Sequence, residues 1–430
     1  MAVAVLLVAL CVALTGCGDS TTASTSRAVN ITYDEKLLFY KVEIDLTAVS
    51  HREMGRQYAQ AIVETLPQFE RLTDAFLAQT LKESKMTFAK ALEYANALKG
   101  NIPQEYMDEI EGMGLVFSYP SDEVGNGRLS PNKIFLSVIF QDVTEITTTA
   151  CSATAVFGGS SATGRTIVGR NNDWDPDPQT DKWNALFIFH NGDRSIVGNG
   201  MIGELFPNNA FNRHHVFAAA LDSSPAMVPS LPVTGMRSPT ADLRYAIETS
   251  RTLADAEKFL SENNYALGSL TLLADAETAH VLEHDTSRPE GERARIRFAT
   301  SPLIAGVSWD APDAIISVNS YLLPGGFANH IGDAHNSLRF DSFRKLFSGS
   351  MAEGLIGVEQ MQGIMGYTSW DGDAGTSGAI FRLEGGVVTF QSLIVRLDTF
   401  ETWLAYSAHG ARWPYTPVYY KVLDGDPFRK

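Results

Sequence analysis

The feature that most constrains this chain is a change of pattern at residue 151. Residues 50–146 carry apolar positions mostly at helical spacing. From Cys151 onward, short apolar runs are joined by turn residues, which is the pattern of hairpins. In the upstream part, Ser50 can cap a helix carrying Tyr58, Ala59, Ile62 and Val63 on one face, with Pro67 as a break. A second helix spans 88–98 and ends at Gly100, and a third spans 131–146. Residues 31–47 alternate as a strand pair ahead of them. Downstream, CSATAVF and RTIVGRNNDW flank the small-residue turn GGSSATG, and ALFIFH and DRSIVG flank Asn191-Gly192. LTLLA and AHVLEHD flank DAET, and AIFRL and VVTFQSL flank EGG. Helices are expected at about 240–263 and 334–365. Hairpin-joined strands make antiparallel sheets, and the helices between them can cover the outer faces. The pattern predicts a layered α+β sandwich with a helical N-terminal part packed on it.

Composition narrows the function. With 34 basic against 50 acidic residues the net charge is −16, a field that repels a phosphate backbone, so nucleic acid is not an expected partner. No HExxH or CxxC occurs, and neither a metal nor a cofactor is expected. Gly198 to Gly203 matches G-x-G-x-x-G, but Pro207 would stop the helix that a dinucleotide site needs, leaving a glycine-rich turn. No G-x-S-x-G is present, so a nucleophile elbow is not indicated. The adjacent His214 and His215 fit surface or core roles better than metal ligation.

The first 14 residues are apolar but too short for a bilayer, which needs about 20. They fit the apolar core of an export signal. Leu14-Thr15-Gly16-Cys17 follows and resembles a bacterial lipobox. That resemblance implies a signal at 1–16, diacylglycerol on Cys17 and a Ser/Thr-rich tether over 17–29. The expected location is then a membrane-anchored lipoprotein of the periplasm or cell surface. An ordinary export signal with a chance Cys is the alternative.

Once signal and lipobox are set aside, Cys151 is the remaining cysteine. It opens the first strand of the β-rich part, after Thr147-Thr-Thr-Ala150. Arg170, Asn171 and Asp173 lie on the return strand, with Cys151 opposite a residue near 171. A guanidinium and a carboxylate are thus brought beside a thiol, where a cation lowers its pKa and an acceptor can orient an amine.

The stretch CSATAVFGGSSATGRTIVGRNNDWD resembles the start of the catalytic chain in cysteine-type N-terminal nucleophile hydrolases. The likeness is to the acyl-coenzyme A:6-aminopenicillanate acyltransferase type, and more distantly to choloylglycine hydrolases and penicillin V acylases. It extends over roughly 104–410. Glu109-Ile-Glu-Gly-Met-Gly resembles that family's pro-segment motif E-L-x-G-x-A, and Gly169 to Asp173 its G-R-N-x-D. Leu272-Leu-Ala-Asp-Ala-Glu resembles its L-A-D-A-x-G hairpin, Val318-Asn319-Ser320 its T-N-x, and Ser337-Leu-Arg339-Phe its S-x-R-F.

The resemblance implies a four-layer αββα sandwich. It further implies a precursor cut between Ala150 and Cys151 into a pro-segment chain, 30–150, and a catalytic chain, 151–430. Cys151 would be the nucleophile, with Arg170, Asp173, Asn319 and Arg339 around it. Asn171 and Asp222 would lie in the substrate or oxyanion region. At Asp222 the family often has Asn, and an ionised Asp cannot donate to an oxyanion. The implied activity is hydrolysis or acyl transfer at linear N-acyl amides, on a small amide substrate and with no cofactor. Two readings stand against it: a binding lipoprotein of the same fold without chemistry, and an uncut cysteine protease, which would need a His partner in place of the α-amine.

Overall fold

The structure is a computed structural model that describes residues 27–143, 151–174, 183–223, 232–330, 333–368, 378–384, 387–406 and 415–429. Cys17 and Ala150 lie outside the described residues, as do the signal and most of the tether.

Two sheets form the centre. In chain order the strands are β1 (Val29–Asp34), β2 (Phe39–Asp45), β3 (Ser152–Val156), β4 (Ile167–Trp174), β5 (Asn184–His190), β6 (Ile196–Met201), β7 (Asn209–Asn212) and β8 (Phe217–Asp222). They continue with β9 (Ser269–Ala274), β10 (Ala279–His284), β11 (Ala294–Arg297), β12 (Ala314–Val318), β13 (Leu383–Glu384), β14 (Val387–Arg396), β15 (Thr402–Ala405) and β16 (Tyr420–Leu423). One sheet has the order β1-β2-β5-β6-β7-β8-β9-β10-β11, the other β12-β3-β4-β14-β15-β16 with β13 on β14. The helices are α1 (His51–Thr65), α2 (Phe69–Glu83), α3 (Phe88–Lys99), α4 (Gln104–Gly114), α5 (Pro131–Val138), α6 (Phe140–Val143), α7 (Pro239–Thr249), α8 (Leu253–Glu262), α9 (Ala334–Glu353) and α10 (Val358–Met365).

Strand alternation assigns each sheet two buried faces. On β5, Leu186 and Ile188 turn inward against Ala153, Ala155 and Val168 of the second sheet. Phe187 and Phe189 turn outward onto Tyr58 and Ile62 of α1 and Ile247 of α7. On the far side, Val156, Ile167 and Ile394 meet Phe343, Phe347 and Met361 of α9 and α10. The layers therefore run helix, sheet, sheet, helix, and the expected four-layer sandwich is present. Among the described residues no helix is long and apolar enough to cross a membrane.

Several local expectations need adjustment. Ser50 caps α1 as expected, its side chain accepting from the Glu53 N–H. The expected helix over 131–146 is two pieces that break at Ile139. The AIFRL strand is reduced to Leu383–Glu384. The hairpin at 31–47 forms, but β2 then pairs parallel to β5. An edge of the nine-stranded sheet is thus built by the part of the chain that precedes Cys151.

The same part is bolted on by helices. α1 and α4 cross so closely that a Cβ on Gly55 would meet the Glu109 carbonyl oxygen at 1.9 Å, and one on Gly112 the Arg52 carbonyl oxygen at 2.0 Å. Only glycine tolerates that approach. This places Glu109, fully buried, against Arg244 of α7: Nη1 donates to Oε2 at 2.5 Å and Nη2 to Oε1 at 2.9 Å. Arg244 Nε donates to Glu248 at 2.6 Å, and its guanidinium lies over the Tyr106 and Phe189 rings at 4.3 and 4.6 Å. Arg194 extends the network by donating to both Glu105 and Glu248.

Candidate active site

Cys151 enters β3 at the end of the second sheet and is buried, 5% exposed. Its backbone nitrogen donates to Asn319 Oδ1 at 2.7 Å, and its thiol to Asn172 Oδ1 at 3.6 Å. Ser152 pairs with Asn171 across the hairpin, so Cys151 stands opposite position 172, near 171 as expected. One residue in a strand changes the face. Asn171, expected in the substrate or oxyanion region, instead points to the outer side of the sheet. There its amide donates to the Met365 and Ile380 carbonyls at 2.8 and 2.9 Å and its oxygen accepts from Ser392. Asn172 takes the inward position.

Asn319 follows β12, the neighbour of β3, and is fully buried. Its Oδ1 also accepts from Arg339 Nη2 at 2.6 Å, while its Nδ2 donates to the Asp222 carbonyl at 2.7 Å. An amide nitrogen carries two hydrogens, and among the described residues this one acceptor takes only one of them. Arg339 reaches in from α9, fully buried, and pairs with Asp173 at 3.2 Å. Asn336, one helical turn earlier on α9, accepts from Arg339 at 2.8 Å and donates to the Asn319 carbonyl. Thr389 on β14 donates to the other Asp173 oxygen at 2.6 Å. Cys151, Asn319, Asp173 and Arg339 are thus one connected cluster drawn from β3, β4, β12 and α9. Arg170 points between the sheets and donates to the Asn171 and Ala220 carbonyls, the latter at 2.6 Å. Asp222 ends β8, exposed, with its carbonyl in the cluster through Asn319.

Burial dominates the electrostatics. It pushes the Cys151 thiol above its ordinary pKa, and the Arg170 charge and the Asp173 backbone N–H only partly offset this. Burial also lifts Asp173 to about 6 against the pull of Arg339 and Arg382, and lowers Arg339 to about 10. With its nitrogen in a peptide bond, Cys151 is therefore a protonated thiol that needs a base. Among the described residues no group of three His, Cys, Asp or Glu side chains could hold a metal ion.

Sequence reasoning missed Asn172, Asn336 and Thr389. Asn336 had a readable signal, lying three residues before Arg339 on one helix face. Thr389 had none, since only the β4–β14 register brings it opposite Asp173.

No family model matches the chain, and no curated protein does. Solved structures do match. A Caenorhabditis elegans N-acylethanolamine-hydrolyzing acid amidase ortholog is 11% identical, covering 57% of this chain and 93% of its own at a TM-score of 0.40. A mutant conjugated bile acid hydrolase from Clostridium perfringens is 13% identical, covering 63% and 92% at 0.38. Penicillin V acylase from Agrobacterium tumefaciens is 12% identical, covering 60% and 83% at 0.36.

Proposed function

We propose that this chain is a self-processing hydrolase or acyltransferase of linear N-acyl amides with Cys151 as nucleophile. The observation that carries the reading is that both reactive atoms of Cys151 are held: the nitrogen by Asn319 and the sulfur by Asn172. A structural cysteine in a core needs an acceptor for its backbone N–H, but not one held by a buried Arg–Asp pair, and it needs no partner for its sulfur.

In the first reaction the thiol adds to the Ala150 carbonyl carbon, the peptide C–N bond breaks and the thiol proton passes to the departing Cys151 nitrogen, leaving a thioester. Water hydrolyses it, giving the Ala150 carboxylate and a free Cys151 α-amine. An α-amine has an ordinary pKa of about 7.7–8.0, so a large share is neutral near neutral pH and can take the thiol proton. This supplies the missing base without a histidine. The thiolate then attacks a substrate amide, the amine leaves with the proton, and water or a second amine receives the acyl group. Asn319 holds the new amine through Oδ1. Its second Nδ2 hydrogen, together with backbone N–H groups, donates to the oxyanion. Arg339 keeps Asn319 and Asp173 in place, and Arg170 supports the thiolate by its charge.

Processed Asn319→Ala is expected to lose about 100- to 1000-fold in kcat on an N-acyl amide, with a smaller change in KM. An unchanged kcat in chains verified to start at Cys151 would remove Asn319 from the reaction. The lipobox reading adds that Cys17 carries lipid, so that the processed catalytic chain stays at a membrane through the β2–β5 pairing. Labelled palmitate should enter the wild type and be absent from Cys17→Ser. Label retained in that variant removes the anchor.

A further inference from the structure

The sulfur of Cys151 meets a residue that the family resemblance leaves open. In G-R-N-x-D the position x is 172, and in this chain it is Asn. The alternation of β4 turns Arg170 and Asn172 between the sheets and Asn171 to the outer side. Asn172 Oδ1 accepts from the Cys151 thiol at 3.6 Å, and among the described residues no other side chain is hydrogen-bonded to this sulfur. Arg170 gives it no such bond. Two of its nitrogens donate to the Asn171 and Ala220 carbonyls, and its Nε finds no partner among the described residues. Asn319 serves the Cys151 nitrogen, and Arg339 serves Asn319 and Asp173.

The other end of the Asn172 amide is uncommitted. Among the described residues its side chain makes no hydrogen bond besides the one to sulfur. Gln391 stands directly opposite it on β14 but does not compete. Gln391 Nε2 donates to Asn184 Oδ1 at 2.8 Å and to the Gly200 carbonyl at 2.6 Å, and its Oε1 accepts from Asn199 at 3.2 Å. Asn172 is itself 5% exposed, so water hardly competes either. A primary amide carries an acceptor on one arm and two donors on the other. Half a turn about its Cβ–Cγ bond exchanges the two while the side chain stays in place.

A thiol and a thiolate need opposite arms. The thiol donates, and Oδ1 accepts from it. The thiolate only accepts, and Nδ2–H suits it. A sulfhydryl is a weak donor, whereas a hydrogen bond to an ion is roughly twice as strong as one between neutral groups, so the exchange favours the thiolate. Burial disfavours the charge on this sulfur. The charged groups that face it are Arg170 and Asp173 of β4, Asp222 of β8 and Arg339 of α9, and the two carboxylates among them oppose the thiolate.

We infer that Asn172 is a further catalytic residue: its carboxamide accepts from the resting thiol and, after half a turn, donates Nδ2–H to the thiolate that attacks the substrate. The thiol proton still passes to the Cys151 α-amine and departs with the leaving amine, and Asn172 neither gains nor loses one. This rests on the amidase reading and adds a residue to its mechanism.

The test is the pH dependence of Cys151 alkylation by iodoacetamide, followed by the mass of the peptide that carries Cys151. Alkylation reports the thiolate without any substrate. Asn172→Leu keeps the volume and removes both arms of the amide, and its midpoint should rise by about one pH unit or more. Asn172→Asp, once ionised, can accept but not donate, and its midpoint should rise as well. Asn172→Ala takes the place of Asn172→Leu if the denaturation midpoint shows that Leu is not tolerated. In processed enzyme, kcat of Asn172→Leu on an N-acyl amide should fall about tenfold near neutral pH and approach wild type at high pH, with KM little changed.

An alkylation midpoint unmoved or lowered in Asn172→Leu overturns the inference. So does a midpoint in Asn172→Asp that matches wild type, because acceptance alone would then suffice. A kcat loss equal at every pH makes Asn172 structural and overturns it too. If processed wild type turns over no amide, the amidase reading fails by itself, and alkylation still judges Asn172. If the chain stays uncut, alkylation is measured on the uncut form, where the contact between sulfur and Asn172 is the same, and an unmoved midpoint there overturns the inference.

Discussion

Purified wild-type protein is expected to separate on a denaturing gel into two chains, the downstream one running from Cys151 to Lys430, while Cys151→Ala stays in one piece and has no amidase activity. The expectation follows from the placement of Cys151. Its N–H is fixed by Asn319, and its sulfur receives the Asp173 backbone N–H. Both contacts orient the residue at the mouth of the second sheet. Burial keeps the thiol above its ordinary pKa, and only the thiolate is strongly nucleophilic. Cleavage should therefore be slow relative to folding and faster at higher pH. The uncut chain has an amide at Cys151 in place of an amine and lacks the base that the amidase reaction needs. Mass and N-terminal analysis decide the matter. An alanine variant still cut before residue 151 would assign the cut to another protease.

The second large effect is expected at Arg244. Arg244→Ala should lower stability by about 3–5 kcal/mol, because it leaves Glu109 and Glu248 buried without their shared cation. It also removes the guanidinium packed on Tyr106 and Phe189. The measurement belongs on the uncut Cys151→Ala background, where folding is not mixed with chain separation. There the denaturation midpoint should fall clearly. In the processed protein the same substitution should release the upstream chain, since Glu109 and Arg244 lie on opposite sides of the cut. A stability loss below about 1 kcal/mol would mean that the α1–α4 packing and the β2–β5 pairing carry the association without this network.

The hairpin around Cys151 shows how far the sequence can be read and where reading stops. Composition and turn residues place Arg170, the two asparagines and Asp173 on the strand facing Cys151, because a hairpin is a local structure. They do not fix the register to one residue, and with a side-chain period of two that single residue decides which of Asn171 and Asn172 faces the thiol. The loop GGSSATG is long enough for either register. Only the pairing of β4 with β14 and of β3 with β12 selects the one found.

Glu109 and Arg339 make the same point over longer range. Each stands in a short motif resembling a known family, and each is a charged residue on a helix that sequence pattern alone would leave in solvent. Both are fully buried, because α4 and α9 turn these faces onto the sandwich and supply Arg244 and Asp173 as partners.

What the sequence by itself determined was local: the hairpins after residue 151, the helices before it and the cysteine that separates them, all properties of spacing within about twenty residues. The tertiary structure alone decided that β2 runs parallel to β5, that Asn319 and Arg339 stand behind Cys151, and that the Asp222 carbonyl meets Asn319. The reason is that these contacts link residues 97 or more positions apart. Nothing in the intervening spacing encodes their meeting; it arises when two sheets bury one face against each other and the other against helices.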